Sequence, residues 1–154
     1  MILSKFGKAI RAQFNKLANF FWSKDPIAQM QYEYDKAVEQ MKEGRSGLEQ
    51  YRALVERVSR QVAINEKQQS TLETKIRAYL KAGDRKTAGE LAIDLQKLKD
   101  ELAENREQLE MHEKAYNNNV AKIKHATKRL RDVKDKIKKY EADLKMSEAE
   151  AEVA

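Results

Sequence analysis

Residues 79–95, YLKAGDRKTAGELAIDL, decide the fold because they interrupt a helical pattern that continues on both sides of them. Gly83 suits the C-terminus of one helix, since glycine readily adopts the left-handed conformation that ends helices. Asp84 suits the N-cap of the next helix, where its carboxylate accepts a hydrogen bond from a free backbone amide. So short a connection predicts that the two flanking helices lie antiparallel.

The two flanking segments carry apolar residues at the heptad spacing typical of a coiled coil. The first arm begins with Asp25 and Pro26, a strong helix start. Its apolar rows are Ile27, Tyr34, Met41, Leu48, Val55, Val62 and Ile76, and Met30, Ala37, Tyr51, Val58, Leu72 and Tyr79. The rows of the second arm are Ala88, Leu95, Leu102, Leu109, Tyr116, Ile123, Leu130, Ile137 and Leu144, and Leu91, Leu98, Asn105, His112, Asn119, Ala126, Val133 and Tyr140. We call these rows the seam and expect them to face the opposite arm.

The first 24 residues differ from the rest, with five basic side chains, no acidic one, and an apolar stripe at helical spacing. Burying each charge near the centre of a bilayer would cost roughly 2.5–3.5 kcal/mol, so the segment is not expected to span a membrane. The pattern predicts a helix that lies on an anionic membrane surface. The predicted lipid-binding residues are Ile2, Leu3, Lys5, Phe6, Lys8, Ile10, Arg11, Phe14, Lys16, Leu17, Phe20, Phe21 and Trp22.

Three other interpretations of this segment remain open. A secretory signal would place its charges before an uninterrupted apolar core, whereas these charges continue to Lys16 and Lys24. An organellar transit peptide is usually rich in Arg and Ser, and this segment has one Arg and two Ser. The third interpretation is an amphipathic helix that docks on its own protein.

The composition excludes several classes of protein. With 36% charged residues, five Gly, one Pro and no Cys, the chain is typical of long helices and has no disulfide scaffold, zinc ribbon or thiol catalysis. The scattered glycines form neither a phosphate-binding nor a dinucleotide-binding loop. His112 is best interpreted as a polar seam residue beside Asn105 and Asn119, and the carboxylates occupy solvated helix faces. We therefore expect no enzyme, catalytic residue, metal site or cofactor.

Together these patterns predict an all-α fold, in which an N-terminal amphipathic helix precedes a long antiparallel helical hairpin of coiled-coil type. The expected divisions are residues 1–24 for the membrane-binding helix, 25–82 for the first arm, and 83–154 for the second arm with its acidic tail.

The arrangement and the local sequence resemble the family of phage-shock protein A and the vesicle-inducing protein in plastids, bacterial members of the ESCRT-III superfamily. That family begins with a short amphipathic helix, followed by an Asp-Pro that opens a long helical hairpin, as at Asp25 and Pro26. Its hairpin tip is similar to residues 80–84 followed by Leu-Ala at residues 91–92. The tip residues singled out by this resemblance are Leu80, Gly83 and Asp84.

The resemblance implies a non-enzymatic scaffold that binds anionic lipid through residues 1–22 and polymerises with itself into rods, rings or coats. Such a scaffold remodels or protects the cytoplasmic membrane under stress and is peripheral on the cytoplasmic face of the inner membrane. Some family members also inhibit a stress-response transcriptional activator through the hairpin. Family members continue past the hairpin with helices that pack on neighbouring subunits, whereas this sequence ends at Ala154 after an acidic tail.

Two other functions remain open from the residues themselves. One is a soluble coiled-coil adaptor whose amphipathic helix docks on a protein partner, for example in transcriptional regulation of a stress response. The other is nucleic-acid binding by residues 122–139, which hold nine basic and two acidic side chains. This basic block is interleaved with seam residues and lacks exposed aromatic residues for base stacking. We therefore expect no nucleic-acid partner.

Overall fold

A computed structural model of the chain describes residues 2–19 and 26–153. They form three helices, namely α1 (Ile2–Asn19), α2 (Pro26–Lys81) and α3 (Arg85–Val153). Within these described ranges, every residue outside the turn at 82–84 is helical. The prediction of an all-α fold with an amphipathic helix and a helical hairpin is confirmed. Asp25, the expected cap of α2, lies outside the described residues.

The turn between α2 and α3 has the geometry that its sequence predicts. Gly83 has a φ of 80°, in the left-handed region that favours glycine. The amide of Gly83 donates to the carbonyl of Leu80 at 3.1 Å, and the amide of Asp84 donates to the carbonyl of Tyr79 at 2.9 Å. These two bonds form a Schellman motif, which satisfies carbonyls at the end of α2.

Asp84 caps the start of α3 through Thr87. The backbone amide of Thr87 donates to Asp84 Oδ1 at 3.1 Å, and the Thr87 hydroxyl donates to Oδ2 at 2.7 Å. These bonds favour the ionised carboxylate, so the Thr87 hydroxyl, and after it the Thr87 amide, lowers the pKa of Asp84 below its usual 3.8. The turn therefore ends one helix and starts the next within three residues.

The chain divides into two compact units. The tip unit, Gln50–Asn117, contains the turn together with the adjoining parts of α2 and α3. The three-helix unit, Met1–Glu49 and Asn118–Ala154, contains α1 with the first part of α2 and the last part of α3.

The tip unit is held together by the predicted seam. Val62 and Leu102 are buried, at 7% and 2% exposed. Polar pairs also join the two helices: the Tyr51 hydroxyl lies 2.8 Å from His112 Nδ1, and Arg106 Nη2 lies 3.0 Å from Glu66 Oε1. His112 is half-buried, as expected of a polar seam residue, and its observed partner is Tyr51.

The seam prediction does not hold at every position. Tyr79, Tyr140 and Leu144 are 39%, 40% and 44% exposed, although the heptad spacing places them in the apolar rows. Tyr79 belongs to the last turn of α2, where the chain is about to reverse. The heptad pattern therefore predicts burial less well at these three positions than in the rest of the two arms.

Candidate membrane-binding helix

The apolar stripe of α1 is present as a continuous row on one side of the helix. The structure describes the side chains of residues 5–17 of this helix. Four apolar residues in this range recur at intervals of three or four, which places them on one helix face. They are Phe6, Ile10, Phe14 and Leu17, at 9%, 8%, 6% and 4% exposed. The row is thus buried inside the three-helix unit.

The hairpin itself covers this row. The residues that pack against it come from both arms, Ala37 and Met41 from α2 and Ile123, Ala126 and Leu130 from α3. We call these five residues the docking face. The interpretation in which the amphipathic helix docks on its own protein is the arrangement that the structure shows.

Gly44 lets α1 approach α2 closely. A Cβ atom added at Gly44 would lie 2.5–2.8 Å from three carbon atoms of the Phe6 ring. Real Cβ atoms do not sit that close to carbon, so any larger residue at this position would displace the ring. The Phe6 ring therefore packs directly against the backbone of α2 at Gly44.

A polar contact accompanies the apolar packing. The Gln13 side chain is 4% exposed, and its amide nitrogen donates to the Glu33 carbonyl oxygen at 3.1 Å and also to the Glu33 carboxylate. Glu33 is itself 7% exposed. Because a buried carboxylate needs hydrogen-bond donors, this contact both satisfies Glu33 and fixes α1 along α2.

The basic residues of α1 remain in contact with solvent. Lys5, Lys8, Arg11 and Lys16 are exposed, and among the described residues none of them forms an ion pair. On α3, the Arg129 guanidinium lies 4.3 Å from the centroid of the Phe14 ring. The buried apolar row is therefore bordered by cations that can attract anions.

Comparison with known proteins identifies the family. A model of the PspA/IM30 family matches residues 1–154. The chain belongs to this family. The family resemblance predicted from the sequence is confirmed. No curated protein and no solved structure compared with the chain gave a match.

Membership of the PspA/IM30 family supports a membrane-associated, PspA-like role in general. The family is one of structural, non-enzymatic scaffolds, and it suggests self-association. None of the helices that the structure describes is long and apolar enough to cross a membrane.

The structure brings together some of the predicted site residues and leaves others undescribed. Four of the predicted apolar anchors share the buried row, and the four predicted headgroup cations are exposed around it. The side chains of Ile2, Leu3, Phe20, Phe21 and Trp22 lie outside those that the structure describes. Leu80, Gly83 and Asp84 lie at the turn, and all three are exposed.

Sequence reasoning missed three residues of this site, namely Gly44, Gln13 and Glu33. A signal for Gly44 was present, since it occupies the heptad row of Met30, Ala37 and Tyr51. A small residue in an otherwise bulky seam row allows another backbone to come close. For the Gln13–Glu33 pair we find no comparable signal in the sequence.

Proposed function

We propose that this chain is a membrane-associated, polymer-forming scaffold of the ESCRT-III type. It binds anionic lipid through α1 and remodels or protects the cytoplasmic membrane under stress, peripheral on the inner membrane. The observation that carries the proposal is α1 itself, a helix with one apolar row and exposed cations beside it. Family membership supports the same role.

Binding to a bilayer requires α1 to leave the docking face. Phe6, Ile10, Phe14 and Leu17 cannot contact acyl chains and the hairpin at the same time. The docked helix is then a closed state, and the membrane-bound helix is an open state of the same chain. A membrane shifts this equilibrium only by as much as it binds the open state better.

Electrostatics decide between the two states. Insertion keeps the apolar row of α1 out of water but leaves the docking face exposed, so the hydrophobic contribution alone favours the closed state. Each Lys or Arg near an anionic leaflet contributes about 1 kcal/mol, which gives the four exposed cations of α1 about 4 kcal/mol in favour of the membrane. Membrane binding should therefore require anionic lipid and weaken with salt.

Self-association would strengthen this weak attachment. A single amphipathic helix binds reversibly, whereas many helices on one rod, ring or coat bind by avidity. The polymer thereby converts a modest affinity for each chain into stable coverage of the membrane.

The test is co-sedimentation with vesicles of graded anionic-lipid content, combined with negative-stain images of the pellets. The informative variant is Lys5→Gln with Lys16→Gln, which removes two exposed charges and keeps the apolar row. We expect it to bind anionic vesicles roughly thirtyfold more weakly than the unaltered chain. The matched control is Lys97→Gln with Lys99→Gln, which removes two exposed charges from the tip unit and should bind nearly normally.

Charge-dependent pelleting with rods, rings or coats in the images would support the proposal. Equal loss in both double variants would mean that net charge alone governs binding and would contradict a role for α1. No binding at any lipid composition would instead favour a coiled-coil adaptor whose helix docks on a protein partner.

A further inference from the structure

A groove runs between α1 and α3 inside the three-helix unit. It has a volume of about 570 Å³ and is open to solvent along part of its length. Lys8 and Arg11 line it from α1, and Lys122, His125 and Arg129 line it from α3. The docked position of α1 creates this groove, because each wall belongs to a different helix.

The charge in the groove has one sign. Among the described residues that line it, none is acidic, and none of its Lys or Arg residues takes part in an ion pair within the described chain. Like charges on facing helices repel one another, so docking of α1 carries an electrostatic cost. An anion between the two walls would remove that cost, and Lys and Arg are the side chains that bind phosphate groups best.

The floor of the groove is apolar. It is formed by Phe6, Ile10, Phe14 and Ala126. The guanidinium of Arg129 is held over this floor by its contact with the Phe14 ring at 4.3 Å. Pockets that bind small organic ligands typically measure about 300–1,000 Å³, and the volume of this groove falls within that range. The groove is much larger than an inorganic phosphate ion.

We propose that this groove binds one molecule of an anionic phospholipid while α1 is docked. The phosphate lies between the cations of α1 and α3, and the start of an acyl chain lies over Phe6 and Ile10. The inference rests on the proposed lipid-binding function and extends it to residues of the hairpin. It also gives the closed state a ligand, because the lipid bridges α1 and α3.

The groove and the bilayer-bound helix exclude each other, since the groove exists only when α1 is docked. A single bound lipid therefore stabilises the closed state by mass action. A continuous anionic surface stabilises the open state through the cations of α1. The same headgroup chemistry thus has opposite effects on α1 when it is presented as a monomer and as a bilayer.

The test measures binding of dihexanoyl phosphatidylglycerol below its micelle concentration to the full chain, by titration calorimetry. Dihexanoyl phosphatidylcholine and inorganic phosphate are the comparison ligands. We expect the phosphatidylglycerol to bind and to raise the unfolding temperature, and the other two ligands to bind at least about tenfold more weakly. Equal binding of inorganic phosphate would overturn the lipid as occupant, and equal binding of the phosphatidylcholine would overturn the role of charge.

Two variants on one helix locate the site. Lys122→Gln removes a cation of the groove and should weaken phosphatidylglycerol binding about tenfold. Lys124→Gln removes an exposed cation of α3 that does not line the groove, and it should leave binding unchanged. Equal effects of the two substitutions would overturn the assignment of the groove.

Vesicle co-sedimentation separates this inference from the proposed function. If phosphatidylglycerol monomers fail to bind while the unaltered chain still pellets with anionic vesicles, the groove is wrong and the membrane-binding helix stands. If the monomers bind in the groove and vesicles do not pellet the chain, the membrane scaffold is wrong and the groove stands.

Discussion

The two units of the chain use the same heptad spacing to build different cores. In the tip unit, two helices meet through Leu102 and through polar pairs such as Tyr51 with His112. In the three-helix unit, the corresponding rows contain the small residues Ala37 and Ala126, and they receive the apolar row of α1. The apolar rows of the two arms are thus shared with a third helix in the three-helix unit, whereas in the tip unit the two arms cover them alone.

The two units also differ in whether their cores depend on every helix. Loss of a helix from the tip unit would destroy its core, whereas loss of α1 from the three-helix unit would leave α2 and α3 as a pair. Departure of α1 would expose the docking face, which includes Met41, Ile123 and Leu130. We therefore expect conformational change in the three-helix unit and a constant structure in the tip unit.

Tethering α1 to the hairpin should have the largest effect. The chain contains no cysteine, so Gln13→Cys with Glu33→Cys can be joined by a short reducible cross-linker. We expect the tethered protein to bind anionic vesicles more than about a hundredfold more weakly, because its apolar row cannot enter the bilayer. Reduction of the cross-link should restore binding, measured by co-sedimentation.

The control for the tether is each single cysteine variant treated with the same reagent. These variants should bind vesicles as well before reduction as after it. Full vesicle binding by the tethered protein would contradict the open state, because it would mean that α1 need not leave the docking face.

Phe14→Glu should have the next largest effect, because it places a charge in the apolar row. We expect vesicle binding to fall roughly fiftyfold, with helix content nearly unchanged by circular dichroism. The matched control is Ala12→Glu, which makes the same change of charge at an exposed position of α1. It should lose only the charge contribution, about fivefold, and equal losses would refute the distinction between the two faces.

Gly44→Ala should act in the opposite direction, because it opens the closed state. The new methyl group would collide with the Phe6 ring and weaken docking by about 1–3 kcal/mol. Apparent affinity for anionic vesicles should then rise about fivefold or more, since a larger fraction of the chain is open. Gly89→Ala is the control, since a Cβ there meets nothing within 4 Å, and it should leave vesicle affinity unchanged.

Asp84→Asn should have the smallest effect, confined to the tip unit and to its pH dependence. Thr87 lowers the pKa of Asp84, so the ionised carboxylate stabilises the fold above its usual pKa of 3.8. This contribution is lost as the pH falls through the lowered pKa, and the two proteins should then converge in thermal stability. A constant difference in unfolding temperature between pH 2 and pH 6 would contradict the cap, and vesicle binding should not change.

Much of the fold could be predicted from the sequence because its signals are local. Gly83 and Asp84 specify the turn through their own conformational and hydrogen-bonding preferences. The heptad rows specify which faces of the two arms meet, and the one-sided pattern of α1 specifies which face is buried.

The partner of α1 could not be predicted in the same way. Phe6 and Phe14 give the same pattern whether their row is covered by a bilayer, another protein or the hairpin. The choice depends on contacts between residues distant in sequence, such as Gln13 with Glu33 and Phe6 with Gly44. Only the three-dimensional arrangement brings these pairs together, which is why the docking face was missed.

Departure of α1 from the hairpin can be followed through the distance between α1 and α3, measured by pulsed electron resonance between spin labels at Asn15→Cys and Lys128→Cys. Both positions are exposed, so the labels need not disturb the docking face. We expect a short distance without vesicles and with zwitterionic vesicles, and a long, broad distribution on anionic vesicles. A short distance that persists while the protein is bound to anionic vesicles would contradict the claim that α1 leaves the hairpin to bind the membrane.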